Sequence, residues 1–479
     1  MTIRSKSTRS VPALSRKDGT VILGGGLAGL STGCVLARAG RPVVVFESDS
    51  IVGGLSKTIV QGEFRFDLGG HRFITKNQKV RYFVSDLLNG EFLTVTRKSK
   101  IYMRQKFVDY PLNPSNAVFG LGMHTTLKAI YDYGREKIRN LFGGRDIVSL
   151  EDWVVSNFGR TMFNLYFKEY SEKVWGIECR RISKEWVEQR IRGLSMWTTM
   201  KNAIFKFSGR DIETLADEFI YPRTGIGRIS DRLKEEIDKD NAVFTNTRIS
   251  KITHEGFTIK SVTAGNTQDK NTSAPGSSNG AYDIEGREFV SSIPLTNFIQ
   301  MMAPSPPEDI LNAASKLKYR DLVVVVTMLD REKVTDLTWL YLPEKSISIG
   351  RIHEPKNWSP DMAPEGKTHI VSEYFCFEGD DIWKSSDKEL ASLTVAQLEE
   401  IGFISEKDVI NSYVVRVPKA YPLFEVGYEK YYTKIIDYLK KFSNLNIAGR
   451  SGMFRYYNMD IAMESGIIVA EDILDKLRN

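Results

Sequence analysis

The sequence predicts an α/β fold in which a Rossmann-type dinucleotide-binding domain, assembled from discontinuous segments, carries a helical insertion and a mostly antiparallel sheet domain. Three observations predict it. The stretch VILGGGLAGLS at 21–31 joins an apolar strand end to the G-x-G-x-x-G spacing of Gly24, Gly26 and Gly29, and then to an apolar helix. A second apolar strand, 42–46, ends in Glu47, at about the 20-residue distance where a carboxylate holds a ribose hydroxyl. A strand, a glycine-bearing turn and a helix at 445–477 then complete a domain begun at residue 19.

Each part has a physical reason. The first glycine permits the tight turn, the second lets a pyrophosphate approach the backbone, and the third lets helix and strand pack closely. The helix N-terminus offers free N–H groups and a positive dipole end to the phosphates. The interleaving suits FAD, whose long body needs contacts from several chain segments, so the first part is expected to be a Rossmann-type FAD-binding domain.

Composition bounds the rest. The 479 residues exceed one simple core, so roughly two or three domains are expected. Apolar and charged contents of 42% and 26% are ordinary for a globular chain. Much of the net charge of +6 comes from Arg4, Lys6, Arg9, Arg16 and Lys17, and residues 1–18 read as a solvated basic tail rather than an export signal. No nucleic-acid motif is found, and no run approaches the roughly 18 apolar residues of an integral membrane segment. Three scattered cysteines, Cys34, Cys179 and Cys376, argue against a disulfide framework and fit a cytoplasmic location. His124, His254, His353 and His369 have no metal-ligand spacing, so no metal is expected.

Along the chain, 78–89 reads as a helix and 92–110 as a strand pair. Residues 115–220 are mostly helical and rich in aromatics. The pattern 229–237 is an amphipathic helix, 242–252 a strand, and 269–280 a mobile hairpin tip between strands. Strands dominate 318–420. The expected division assigns 19–100, 221–300 and 440–479 to the cofactor domain. It assigns 101–220 to a helical substrate domain and 301–439 to an antiparallel sheet substrate domain.

Several motifs together resemble the flavoprotein superfamily of amine oxidases, protoporphyrinogen oxidases and UDP-galactopyranose mutases, and they are most similar to the mutase branch. They are GGGLAGLS, Glu47, Gly53-Gly54, FDLGGHRF (66–73), KVW (173–175) followed by Arg190, FIYPRTGIGRI (219–229), WLY (339–341) followed by Arg351, Tyr421-Pro422, and GRSGMFRY (449–456). The resemblance implies that Gly24, Gly26, Gly29, Glu47, Gly53, Gly54, Gly70, Arg248, Gly449 and Asp460 bind FAD. It places His71 beside the flavin ring. It assigns Trp175, Arg190, Trp339, Tyr341, Arg351, Tyr421, Arg450 and Tyr456 to the substrate, with Arg351 and Arg450 meeting a diphosphate. Three departures stand out: Ser171 and Ile461 replace the family's asparagine and histidine, and 110–113 matches its uracil contacts only loosely.

The residues themselves support a cluster of fixed cations. An arginine cannot shed its charge, so Arg190, Arg351, Arg450 and Arg455 in aromatic surroundings call for an anion. No protein nucleophile is found, as expected where a cofactor carries the chemistry. Two activities remain open at this level. In one, reduced flavin N5 acts on a nucleotide-activated sugar to interconvert its pyranose and furanose forms. In the other, an FAD-dependent oxidoreductase takes a hydride from an anionic sugar, amine or lipid-linked substrate. The partner is a small molecule in either case; NAD(P)H is open as external reductant, and homo-oligomerisation is open too.

Overall fold

The computed structural model describes residues 18–110, 123–144, 146–187, 218–267 and 281–478. The basic tail up to residue 17, Arg190 and the 269–280 tip lie outside the described residues.

Five short parallel strands form the first sheet, in the order Leu445–Ile447, Glu288–Ser291, Thr20–Leu23, Val43–Phe46, Ala242–Phe244. The three inner strands are buried at every position, which is why Thr20–Leu23 and Val43–Phe46 read as near-continuous apolar runs without alternation. The chain thus returns twice to a sheet begun at its start. The helices Leu27–Arg38 and Met459–Arg478 pack together beside this sheet. Their contact is closer than side chains allow: a Cβ at Gly466 would lie 2.2 Å from the Ala28 carbonyl oxygen, and the Thr32 hydroxyl donates to the Gly466 carbonyl at 2.9 Å.

The strand expected over 242–252 is two strands. Asn246 takes a left-handed φ of 51°, and the Thr247 N–H donates to the Glu47 carbonyl at 2.8 Å. Ala242–Phe244 therefore ends the parallel sheet, while Thr247–Glu255 enters a second sheet with Thr258–Asn266, Tyr282–Glu285 and Met302–Ala303.

A third sheet of seven strands runs in the order Val409–Pro422, Tyr319–Leu329, Thr368–Cys376, Arg351–His353, Trp339–Tyr341, Ser99–Met103, Lys106–Tyr110. The 92–110 stretch is thus three strands rather than a pair. Phe92–Thr96 pairs instead with Glu218–Pro222, and Ser99–Met103 runs parallel to Trp339–Tyr341. The expected boundary at residue 100 falls inside a strand, because this hairpin finds its hydrogen-bonding edge in the large sheet.

Helices Met123–Leu141, Leu150–Met162 and Lys168–Trp175 form the helical block. Ser149 and Asp152 form a capping box at the second helix. Lys173 ties this block to the large sheet by donating to the carbonyls of Leu342, Glu344 and Ile347, and burial pushes its ammonium down to about 8. A second tie is Asp67, which accepts from the hydroxyls of Thr58 and Tyr221, each at 2.6 Å, and from the Ile226 N–H at 3.2 Å. Burial pushes this carboxyl up to about 7. Cys34, Cys179 and Cys376 are free and buried.

The helix-to-helix contact gives a direct test. Gly466→Ala is expected to lower stability by about 2–3 kcal/mol, because backbone cannot yield as a flexible side chain does. Gly134→Ala, where an added Cβ meets nothing within 4 Å, is expected to raise stability by up to about 1 kcal/mol. Unfolding midpoints of the two variants check both.

Candidate active site

The strands of the parallel sheet deliver their C-terminal ends to one cavity of about 1470 Å³. That exceeds the roughly 300–1,000 Å³ of a drug-sized ligand site and leaves room for a dinucleotide and a second ligand. Gly24 has φ +102°, and its Cβ would lie 2.6 Å from Ser292 Oγ. At Gly26 nothing lies within 4 Å, so this face of the turn opens onto the cavity. Gly29 plays the other part: its Cβ would sit 2.1 Å from the Gly24 carbonyl oxygen, and it packs the turn without lining the cavity. No side chain caps the helix that starts at Leu27, so its first N–H groups are left for an anion.

Glu47 lies across this turn. Its carboxylate accepts from the Gly25 N–H and the Asp49 N–H, each at 2.8 Å. Gly53 and Gly54 have φ of +108° and +57°, and the Gly53 N–H donates to the Gly25 carbonyl at 2.7 Å. Gly449 closes in from the C-terminal segment, where a Cβ would stand 2.8 Å from that of Ala28. Asp460, in the first turn of the last helix, has its carboxyl raised by burial. Arg248 is exposed at the rim. Five chain segments therefore build one cradle fit for a pyrophosphate and its two nucleoside arms.

His71 and Gly70 lie at the far end. A Cβ at Gly70 would fall 1.4 Å from the Trp339 ring, so the loop reaches its place only as glycine. His71 lines the cavity, and its buried Nδ1 has no hydrogen-bond partner. Burial, then the charges of Arg450 and Arg351, push its imidazole down to about 4. It is a neutral ring at neutral pH.

Around it the structure gathers most of the expected substrate residues. The Arg450 guanidinium stacks over the rings of Tyr421 and Tyr456 at 4.5 and 4.6 Å. Its buried Nε and Nη2 have no hydrogen-bond partner, and among the described residues it has no ion pair. Arg351 differs. Its Nη2 donates to the Glu373 carboxylate and, at 3.0 Å, to the Tyr421 hydroxyl, and Glu373 holds it charged against burial. Its Nε is a further unpartnered donor. Trp339 lies under Arg351 at 5.2 Å and beside Tyr341 at 6.0 Å, and both aromatics line the cavity.

Two residues stand apart. Trp175 is 2% exposed and does not line the cavity; it backs Tyr421 and Tyr456 with ring centroids 6.2 and 6.0 Å away. Arg455 turns to the Tyr432 ring and to Glu185 rather than into the cavity. The buried state of Trp175 follows from the tyrosines occupying the position in front of it.

Other residues were missed from sequence. Gly25 is constrained like Gly24, since a Cβ there would stand 2.9 Å from that of Glu47. Arg72 lines the cavity between the Phe219 and Trp339 rings. Glu373 was detectable in principle: a lone acid inside the buried strand Thr368–Cys376 demands a cation.

The comparisons agree with this geometry. The chain matches the family described as flavin containing amine oxidoreductase over residues 27–474. The L-amino-acid oxidase of Crotalus adamanteus is 26% identical over 160 residues, a match spanning 30% of this chain and 31% of the oxidase. Protoporphyrinogen oxidase 2 of Arabidopsis thaliana, chloroplastic/mitochondrial, is 23% identical over 459 residues, 88% of this chain and 86% of that protein. Among solved structures, a reduced UDP-galactopyranose mutase superposes with a TM-score of 0.79 at 20% identity, covering 96% of this chain and 94% of the other.

Removing a neighbouring cation should relieve His71. In Arg450→Met the imidazole is expected to titrate above the value of about 4 it has here, yet below its ordinary 6.5 because burial remains. Histidine NMR across acid pH checks this, and an unmoved titration would contradict the charge placement.

Proposed function

The chain belongs to the flavin containing amine oxidoreductase family and takes FAD, and from that premise we propose that it acts on a nucleotide-activated sugar as a mutase-like flavoenzyme. The observation that carries the proposal is Arg450, a cation with two buried, unpartnered N–H groups beside a cavity too large for the dinucleotide alone. A substrate diphosphate is the anion that satisfies both donors with charge-assisted hydrogen bonds.

When bound, reduced flavin supplies a nucleophilic N5 to the anomeric carbon of the sugar. The chain's own residues do the rest. Gly24, Gly26 and the helix N-terminus hold the cofactor's pyrophosphate, while Glu47 holds a ribose hydroxyl. Arg450 and the Nε of Arg351 bind the substrate diphosphate and stabilise the charge it gains on leaving, a task suited to fixed, buried donors. Tyr421 and Tyr456 hold Arg450 in place by stacking. Glu373 fixes the orientation of Arg351. His71, kept neutral, offers a hydrogen bond without adding a positive charge to those of the arginines. Trp339 and Tyr341 cover the sugar.

The second reading is an oxidoreductase that removes a hydride from an anionic substrate oriented by Arg450. It is favoured by the family match and by the protoporphyrinogen oxidase relative, whose similarity runs over most of the chain.

One experiment separates them. The holoprotein, reduced anaerobically with dithionite or NAD(P)H, is given UDP-galactopyranose. Furanose product is expected, and Arg450→Met is expected to lower kcat/KM by about 100- to 1,000-fold with flavin content unchanged. An absence of furanose together with bleaching of oxidised flavin by an amine or alcohol selects the oxidoreductase.

A further inference from the structure

We propose that the helix Met123–Leu141 docks the protein on an anionic membrane surface, lying in the lipid interface with its apolar stripe inserted. The side of this helix that faces the protein is polar. Asp132 accepts from the N–H and hydroxyl of Thr161 at 3.1 and 2.6 Å, and Asn140 donates to the Ser156 carbonyl at 3.0 Å. Glu136, 1% exposed on its side chain, pairs with Arg135 and Arg139.

The apolar side faces out. Met123, Leu127, Ile130, Tyr131, Ile138 and Leu141 are 58–82% exposed, and Phe142, 85% exposed, extends them past the helix end. Their i, i+3, i+4 and i+7 spacing puts them on one stripe. Among the described residues nothing packs over it. A globular helix turns such a stripe inward; here buried polar anchors on the opposite face hold it outward, which marks a binding surface.

Charge identifies the occupant. Lys128, Arg135 and Arg139 are exposed and share one flank of the stripe, while both acids of the helix, Asp132 and Glu136, are buried on the far side. The outward surface of the helix is therefore bulky and apolar with a cationic border and no carboxylate. Anionic headgroups over hydrocarbon complement both features at once. The helix lies on the bilayer and does not cross it, since no helix among the described residues is long and apolar enough to span.

Flotation of the full-length holoprotein with phosphatidylcholine vesicles, with and without phosphatidylglycerol, tests this. Binding to the anionic vesicles is expected, with release at high salt. The double variant Ile130→Glu, Ile138→Glu is expected to lose affinity by about 10- to 100-fold. Lys128→Gln is expected to lose about fivefold, on the anionic vesicles only. Both variants should keep their flavin and unfolding midpoint. Failure of the wild type to float, or flotation indifferent to the glutamates, overturns the proposal. So does a concentration-dependent dimer that the glutamates dissolve without any vesicle binding, which would assign the stripe to a second copy of the chain.

Discussion

A guanidinium that cannot lose its proton lies over two stacked tyrosine rings without a carboxylate to balance it, and the rest of the site is arranged around that charge. Arg351 is neutralised by Glu373, and His71 is kept uncharged by burial and by the two arginines. What remains facing the cavity is the charge of Arg450, with two hydrogen-bond donors unused, and that of Arg72 beside Trp339. Leaving such donors unmet costs free energy in a buried site, so the arrangement is built for an anion that arrives with the ligand.

The fold delivers that charge by bringing distant parts of the chain together at glycines. Gly449 carries Arg450 to the turn containing Gly24 and Gly26, and it reaches there because the last helix packs on the first with Gly466 against the Ala28 backbone. Gly70 lets His71 approach Trp339. Asp67 and Lys173 then fasten the segments to one another by hydrogen bonds rather than by apolar area.

Much of the cofactor end was legible in the sequence, because its determinants are local: three glycines at fixed spacing, an apolar strand on each side and an acid at the end of the second. The return of 445–477 to the first sheet was legible for the same reason. Pairing between distant strands was not. Nothing within 92–110 shows that Ser99–Met103 runs parallel to Trp339–Tyr341, since a strand's partner is chosen by three-dimensional position. The break at Asn246 was hidden because alternation continues through it. At the substrate end, residue types gave the cations, but neither the Glu373 partner of Arg351 nor the buried place of Trp175 can be read without the fold.

The central claim is that Arg450 receives a diphosphate within the flavin cavity. A crystal structure of the holoprotein soaked with UDP tests it most directly. The account predicts phosphate oxygens within hydrogen-bonding distance of Arg450 Nε and Nη2, with Arg351 still on Glu373. A diphosphate bound elsewhere, or Arg450 folded onto a protein carboxylate, would contradict it.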